Sequence, residues 1–415
     1  MAVTPGSDTF AKLLKHFTGA EEIYNADENA LVAAVGNKSR DLDALMQKDL
    51  DKAKSVYKFC VDKDVGILTY EDESYPQQYR FIKTPPVLLY YRGELPVFNG
   101  DCFVAMVGTR RLTEYGRRNA YVIGYDVATA GAVVVSGMAI GIDGVSHAGA
   151  LAAGGKTVAF LGCGIDVCYP SSHLTLARAI VKNGCVMTEY APGTRPEGHN
   201  FPRRNRLIAA LSCATVVIEG KLTSGAIITA RLAREYEKAV FALPGNVDNA
   251  TSEVANVLIQ NGAKLIISAL DIVNDLEKSY MDKLCAAKIQ YKPSIPMDDA
   301  LAEYQISCVC PSDKIFAPPR SKRKDRKSDK ELLSVSAEEQ IAESADVGAA
   351  PDIKDFSFDS DTLRIYQKIP TDRDCSVNDL VDENDRMNSV MKALLKLEMG
   401  RFITMLPGER VKRNL

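Results

Sequence analysis

Histidine is scarce: His16, His147, His173 and His199 are the only four in 415 residues, and none falls at metal-ligand spacing. The ten cysteines form no CxxC pair, and Cys308 and Cys310, one residue apart, have no histidine nearby. They read as reduced cytosolic thiols rather than a metal site or a disulfide framework. No apolar run is long enough to cross a bilayer, and the first residues lack the basic and apolar regions of a secretory signal. These absences predict a cytoplasmic chain with no membrane partner. Neither sign of charge is in excess: 51 Lys and Arg stand against 54 Asp and Glu, for a formal net charge of -3. Any polyanion site must therefore be a local basic patch. No nucleophile–base pair stands out, so neither a catalytic residue nor a cofactor is assigned.

What is present is an ordered series of short apolar runs. CFVAMVG ends at Gly108, AVVVSG at Gly137, TVAFLGCG at Gly164, CVMTEY at Tyr190, ATVVIEG at Gly220 and AVFALPG at Gly245, and AKLIIS closes the series at Ser268. They lack clear alternation, as strands buried on both faces do, and stretches of helical length separate them. That order predicts an α/β fold with a mostly parallel sheet, in which ligands bind beyond the carboxyl ends of the strands. Val65 to Gly93, with its proline pairs, predicts two short strands extending one edge.

Around this centre the chain divides into units. Residues 1 to 66 read as a helical domain, with Phe10, Leu13, Leu14 and Phe17 at i, i+3, i+4 and i+7. The sheet domain covers 67–278. Residues 279–355, with Pro293, Pro296, Pro311, Pro318, Pro319 and the basic cluster Arg320 to Lys330, read as a disordered linker. Residues 356–415 predict three helices, over Leu363 to Tyr366, Val377 to Val381 and Met387 to Leu397. A hairpin about Pro407-Gly408 follows, which completes a winged-helix-like pattern. Acidic Asp379, Asp382, Glu383 and Asp385 there favour partner docking over duplex binding.

The strand ends carry the candidate site. After Gly108 come Thr109, Arg110 and Arg111, and Thr113 is placed to cap a helix whose first N–H groups, with the two arginines, make an anion cradle. Ser136, Gly137 and Gly141 form a second glycine-rich turn, which is not the GxGxxG fingerprint. Asp143 and His147 lie at i and i+4 and invite a structural pair. Tyr169 is either a stacking platform for a base or packing. In NFPRRNRLIAALS, Arg203, Arg204 and Arg206 surround Asn205 near a helix start, where cations oppose the macrodipole and an anionic ligand would justify them. Lys221, Ser224 and Gly225 open a further helix with N–H donors.

Taken together, VGTRRLTEYG, SGMAIGIDGVSHAGALAAGG, GCGIDVCYP, NFPRRNRLIAALS, SGAIITA and FALPG resemble the DprA/Smf DNA-processing proteins over roughly Ile67 to Val273. The resemblance implies an extended Rossmann-like sheet between an N-terminal helical (SAM-like) domain and the C-terminal winged-helix-like domain. It also implies single-stranded DNA binding as a homodimer, protection of incoming DNA in natural transformation, and loading of the recombinase RecA. By position it places DNA phosphate at Arg110, with Ser136, Gly137 and Gly141 lining the neighbouring pocket. Arg203 and Arg206 add charge, and Ser224 and Gly225 stand opposite; the strand-end reading adds Gly108, Thr109, Arg111, Asn205 and Lys221 to the same surface. The alternative reading is a nucleotide-binding or nucleotide-hydrolysing enzyme on the same sheet. Against it, Pro244-Gly245 continues as Asn-Val-Asp, unlike the PGGxGTxxE-type signature of that group.

Overall fold

Every apolar run from Cys102 onward is a strand in the computed structural model. It describes residues 3–289, 297–306 and 360–413, apart from 372, 382–389, 391–392, 395–396, 399–401 and 407–409. The strands are β1 (Gly66–Thr69), β2 (Leu88–Gly93), β3 (Phe103–Val107), β4 (Val133–Ser136), β5 (Thr157–Phe160), β6 (Gly184–Thr188), β7 (Ala214–Val217), β8 (Ala239–Ala242) and β9 (Lys264–Leu265). They form one sheet in the order β1-β2-β6-β5-β4-β3-β7-β8-β9. All pairs from β6 to β9 are parallel, whereas β1 with β2 and β2 with β6 are antiparallel, so the proline-rich segment does extend an edge. Every residue of β3 to β7 is buried, which is why no alternation shows in the sequence.

The chain leaves β3 for β4, β5 and β6 on one side, then crosses to β7, β8 and β9 on the other. The strand order therefore reverses between β3 and β7. At such a switch point the loops part and leave a crevice at the carboxyl ends.

Five helices precede the sheet: α1 (Thr9–Leu13), α2 (Ala20–Asn25), α3 (Glu28–Val35), α4 (Leu42–Gln47) and α5 (Leu50–Asp62). Leu13, Leu31, Val35 and Leu42 make their small core. An aromatic ladder joins them to the sheet edge, with Phe10 edge-on to Tyr70 at 5.1 Å and Tyr70 to Tyr75 at 5.2 Å. The Arg80 guanidinium lies 4.2 Å from the Tyr70 ring centre, where its charge meets the negative ring face.

Between and after the strands lie α6 (Glu114–Thr129), α7 (Ile142–Ala152), α8 (Leu174–Lys182), α9 (Asn200–Leu211), α10 (Gly225–Glu235), α11 (Glu253–Gln260) and α12 (Ala269–Glu277). They cover both faces of the sheet. α6 and α7 approach unusually closely because each offers a glycine to the other: a Cβ on Gly124 would stand 2.7 Å from the Ser146 carbonyl oxygen, and one on Gly149 would overlap that of Tyr121.

The stretch expected to be linker from residue 279 does not begin there. Leu284 is buried in the main core with Tyr280 packed against it, and α13 (Met297–Glu303) adds buried Leu301 to the same cluster. These apolar residues are spaced too widely to make a periodic pattern, and the prolines beside them suggested a linker. The remainder of that stretch, with the basic cluster Arg320 to Lys330, lies outside the described residues.

Residues 1–316 form one compact unit and 317–415 a second. The second contains α14 (Ser360–Lys368), β10 (Cys375–Ser376), β11 (Ile403–Leu406) and β12 (Arg410–Arg413), in an antiparallel sheet ordered β10-β12-β11. Ile365, Ile369, Leu380, Phe402 and Val411 fill its core. The expected second helix is a short 3-10 turn, Val377–Leu380. Of the third, Val390, Ala393, Leu394 and Leu397 are described and buried at i, i+3, i+4 and i+7. The Pro407-Gly408 turn lies outside the described residues.

Candidate nucleic-acid interface

The carboxyl ends of β3, β4, β5 and β7 are drawn together by glycines. After β3, Gly108 sits where a Cβ would stand 2.9 Å from the Glu219 carbonyl oxygen beyond β7. After β4, Gly141 has φ +89°, a left-handed region that only glycine adopts readily, and a Cβ there would stand 2.8 Å from the Arg110 Cα. The loops carrying Thr109-Arg110-Arg111 and Ser136-Gly137 therefore lie in contact. The Ser136 hydroxyl donates to the Met106 carbonyl at 2.6 Å, so that side chain ties β4 to β3 and is wholly buried.

α9 crosses these ends, and its three arginines part company. Arg203 is exposed. Arg204 turns inward, only 4% exposed, and donates to the carbonyls of Gly137 (2.9 Å) and Phe160, which clamps the helix to β4 and β5. Arg206 is 5% exposed and donates to both oxygens of Glu189 at 2.8 and 2.6 Å. The expectation that cations at this helix start imply an anionic ligand thus holds for neither Arg204 nor Arg206. Internal carbonyls and a carboxylate offset the opposing dipole instead. Burial pushes the Glu189 carboxyl up, and Arg206 pulls it back. Near the start of the chain, Gly6 lies against Arg203 and Arg206.

Asp143 takes a different partner from the one its spacing suggested. Its carboxylate accepts from the Gly137 N–H at 3.2 Å, and Arg204 and Arg110 both favour its charge. His147 instead meets Thr157, with Nδ1 2.7 Å from Oγ1. Because the Thr157 hydroxyl donates to the Val134 carbonyl, Nδ1 carries the proton. Burial beside His173 and Arg204 lowers the His147 pKa to about 3, so the ring is neutral. The i, i+4 pair does not form.

The start of α6 is also occupied from within. Thr113 caps it as expected, accepting from the Gly116 N–H at 3.1 Å. But Glu219, buried just beyond β7, accepts from the Thr113 N–H at 3.0 Å and from the Thr113 hydroxyl at 2.5 Å. This carboxylate stands where the anion cradle was expected, satisfying the positive end of the helix with an internal charge. Gly116 admits it: a Cβ at that position would stand inside contact with the carboxylate.

What faces outward is narrower than the sequence implied. Arg111, Arg203 and Lys221 are exposed, and the Arg110 guanidinium carbon lies 5.4 Å from the centre of the Phe201 ring. Phe201 in turn meets Tyr169, its ring centre 5.4 Å away and tilted by 42°. Tyr169 thus packs on a protein ring. α10 begins at exposed Gly225 behind Ser224, whose side chain makes no cap hydrogen bond. Asn205 approaches it, its Nδ2 standing 3.9 Å from where a Gly225 Cβ would be. Sequence reasoning missed Phe201, Glu219 and the inward turn of Arg204. For Arg204 the only local signal is its position one residue along from exposed Arg203, about 100° round the helix. Among the described residues no group of three or more His, Cys, Asp or Glu is placed to hold a metal ion. No described helix is long and apolar enough to cross a membrane.

The family model for DNA recombination-mediator protein A matches residues 66–277, from the first residue of β1 to the last of α12. Protein Smf of Synechocystis sp. is 35% identical over 275 residues, 64% of this chain and 68% of its own. The DNA processing protein DprA of Streptococcus pneumoniae is 39% identical over 206 residues, 50% of this chain and 72% of its own. A solved structure of DprA from that organism superposes with a TM-score of 0.58 at 30% identity, covering 66% of this chain and 99% of the other.

Proposed function

Because the chain belongs to the DNA recombination-mediator protein A family, we propose that it binds single-stranded DNA along the carboxyl ends of β3, β4 and β7 without catalysis. One observation carries this reading. Exposed Arg111 follows β3, and exposed Lys221 follows β7 shortly before the α10 start that no side chain caps. Exposed Arg203 lies on α9 two residues before the Asn205 that approaches Gly225, and the Arg110 guanidinium rests on the Phe201 ring. Phosphates suit exposed guanidinium, ammonium and helix-start N–H groups, and bases stack on rings without regard to sequence. The cations sit on separate loops and helix starts rather than along one helix face, an arrangement suited to a backbone that can bend between them.

Binding without catalysis is supported by the carboxylates at this edge. Asp143, Asp166, Glu189 and Glu219 each hold a backbone group, a hydroxyl or an arginine, and Glu114 pairs with Arg117, so each has a structural task. The wider role is the one the family implies: protecting incoming DNA and handing it to RecA during transformation and recombination in the cytoplasm. A homodimer fits the far edge of the sheet. Among the described residues β9 has no further strand beside it, and Leu265 and Ile267 there are 51% and 71% exposed.

The test is binding of a fluorescent oligonucleotide, single-stranded against duplex, over a salt series, for wild type and Arg110→Ala. Preference for the single strand, with a log–log salt slope that flattens by about 0.7 per lost phosphate contact, is expected. Binding indifferent to Arg110, or none at all, overturns the site. Ile267→Asp with light scattering tests the dimer separately.

A further inference from the structure

The β3–β7 seam has a second chemically marked end, opposite the DNA surface. Cys102, just before β3, and Cys213, just before β7, are both free thiols, and their sulfurs stand 3.1 Å apart. The strands hold them there: the Cys213 N–H donates to the Phe103 carbonyl at 2.9 Å, and the parallel register begins at Val104 and Ala214. That register sets Cys213 beside Phe103, so Cys102 and Cys213 are a diagonal pair at the mouth of the ladder, and it is the 3.1 Å between their sulfurs that brings them within reach of a bond.

The two thiols are unequal. Cys102 is wholly buried, while Cys213 is partly exposed. The contact between the two sulfurs holds the Cys213 thiol below its ordinary value and raises Cys102, and the Cys213 thiol also meets the Phe103 carbonyl at 2.9 Å. Cys213 is thus the better nucleophile and the reachable one, with Cys102 as its resolving partner.

We propose that Cys102 and Cys213 are a redox dithiol that hydrogen peroxide converts into a disulfide across the β3–β7 seam. The Cys213 thiolate attacks one peroxide oxygen, the O–O bond breaks, and the departing hydroxide leaves as water with the thiol proton. Cys213 is now a sulfenic acid. The Cys102 sulfur attacks it, the S–S bond forms, the S–O bond breaks, and a second water carries off the Cys102 proton. Two thiols lose two electrons and one peroxide gains them. The bond lies where it matters mechanically, because β3–β7 pairing alone joins the two halves of the nine-stranded sheet. It would close a loop across 111 positions of chain.

The test uses the full chain treated with hydrogen peroxide, alkylated under denaturing conditions, digested and mapped by mass spectrometry. The expected product is one cross-linked peptide pair joining Cys102 to Cys213, undone by dithiothreitol. A rise in Tm of about 5–10 °C should accompany it in wild type and be lost in Cys213→Ser. In Cys102→Ser, dimedone should trap the sulfenic acid on Cys213. If Cys102 and Cys213 stay alkylatable while partly exposed Cys168 or Cys285 oxidises, or if the cross-link joins other cysteines, the proposal is wrong. The wild-type map decides this even where a variant fails to fold.

Discussion

Arg206 and Glu189 form a bidentate ion pair in the interior, one guanidinium nitrogen serving both carboxylate oxygens at 2.8 and 2.6 Å. The pair is buried and consumes one of the three charges in the run RRNR. Removing one partner leaves the other buried and unmatched, at a cost of about 3–5 kcal/mol. Glu189→Gln and Arg206→Met should each lower the urea midpoint strongly, and the double change should cost less than the sum of the two. The salt slope of DNA binding by whatever remains folded should not change.

Neighbouring arginines should behave oppositely. Arg203→Ala should leave Tm within about a degree, since exposed substitutions usually cost under about 0.5 kcal/mol, and should flatten the salt slope by about 0.7. Arg204→Ala strips hydrogen bonds from two buried carbonyls and should lower stability by about 2 kcal/mol or more. Thermal melts and a salt series on the two variants separate the roles.

Gly149→Ala tests the close approach of α6 and α7. Alanine is the better helix former by about 1 kcal/mol, so propensity alone predicts a gain. The Tyr121 carbonyl occupies the space, so a loss of about 1–3 kcal/mol is expected instead. Denaturant unfolding gives the sign directly.

His147 makes stability depend on pH. Folded, its pKa is lowered from 6.5 to about 3; unfolded, it binds a proton near the ordinary value. Between those values the unfolded state holds more protons, so stability rises with pH there and falls on acidification from about 6.5 towards 3. The slope from this residue is at most about 1.4 kcal/mol per pH unit. His147→Leu should reduce the slope of Tm against pH over that window, whatever it does to Tm at neutral pH.

The seven main strands were legible because a strand buried on both faces must be apolar throughout and must stop where the chain meets polar loops, whereas their order across the sheet was not read from the sequence. The edge pair β1 and β2 was legible from its prolines. Leu284 and Leu301 were not, since single apolar residues far apart carry no period, and only packing shows that they complete the core. At the site, glycine turns and cations pointed to the correct loops, but sequence does not say which way a side chain turns. Arg203, Arg204 and Arg206 look alike in a string, and what distinguishes them lies 17 positions away at Glu189 and 44 and 67 positions away at the Phe160 and Gly137 carbonyls. Glu219 shows the same limit: nothing local indicates that its carboxylate reaches back 106 positions to the start of α6.

The placement of Gly6 against Arg203 and Arg206 bears on how the protein should be handled. Anything fused ahead of Thr4 emerges beside the surface whose affinity is to be measured. A polyhistidine leader there adds titratable cations next to Arg203, and its contribution would grow on acidification and shrink with salt, mimicking the behaviour of a true contact. Purification handles are better removed by protease before any oligonucleotide is added, and an uncut sample then reports how much of the apparent affinity the handle supplied.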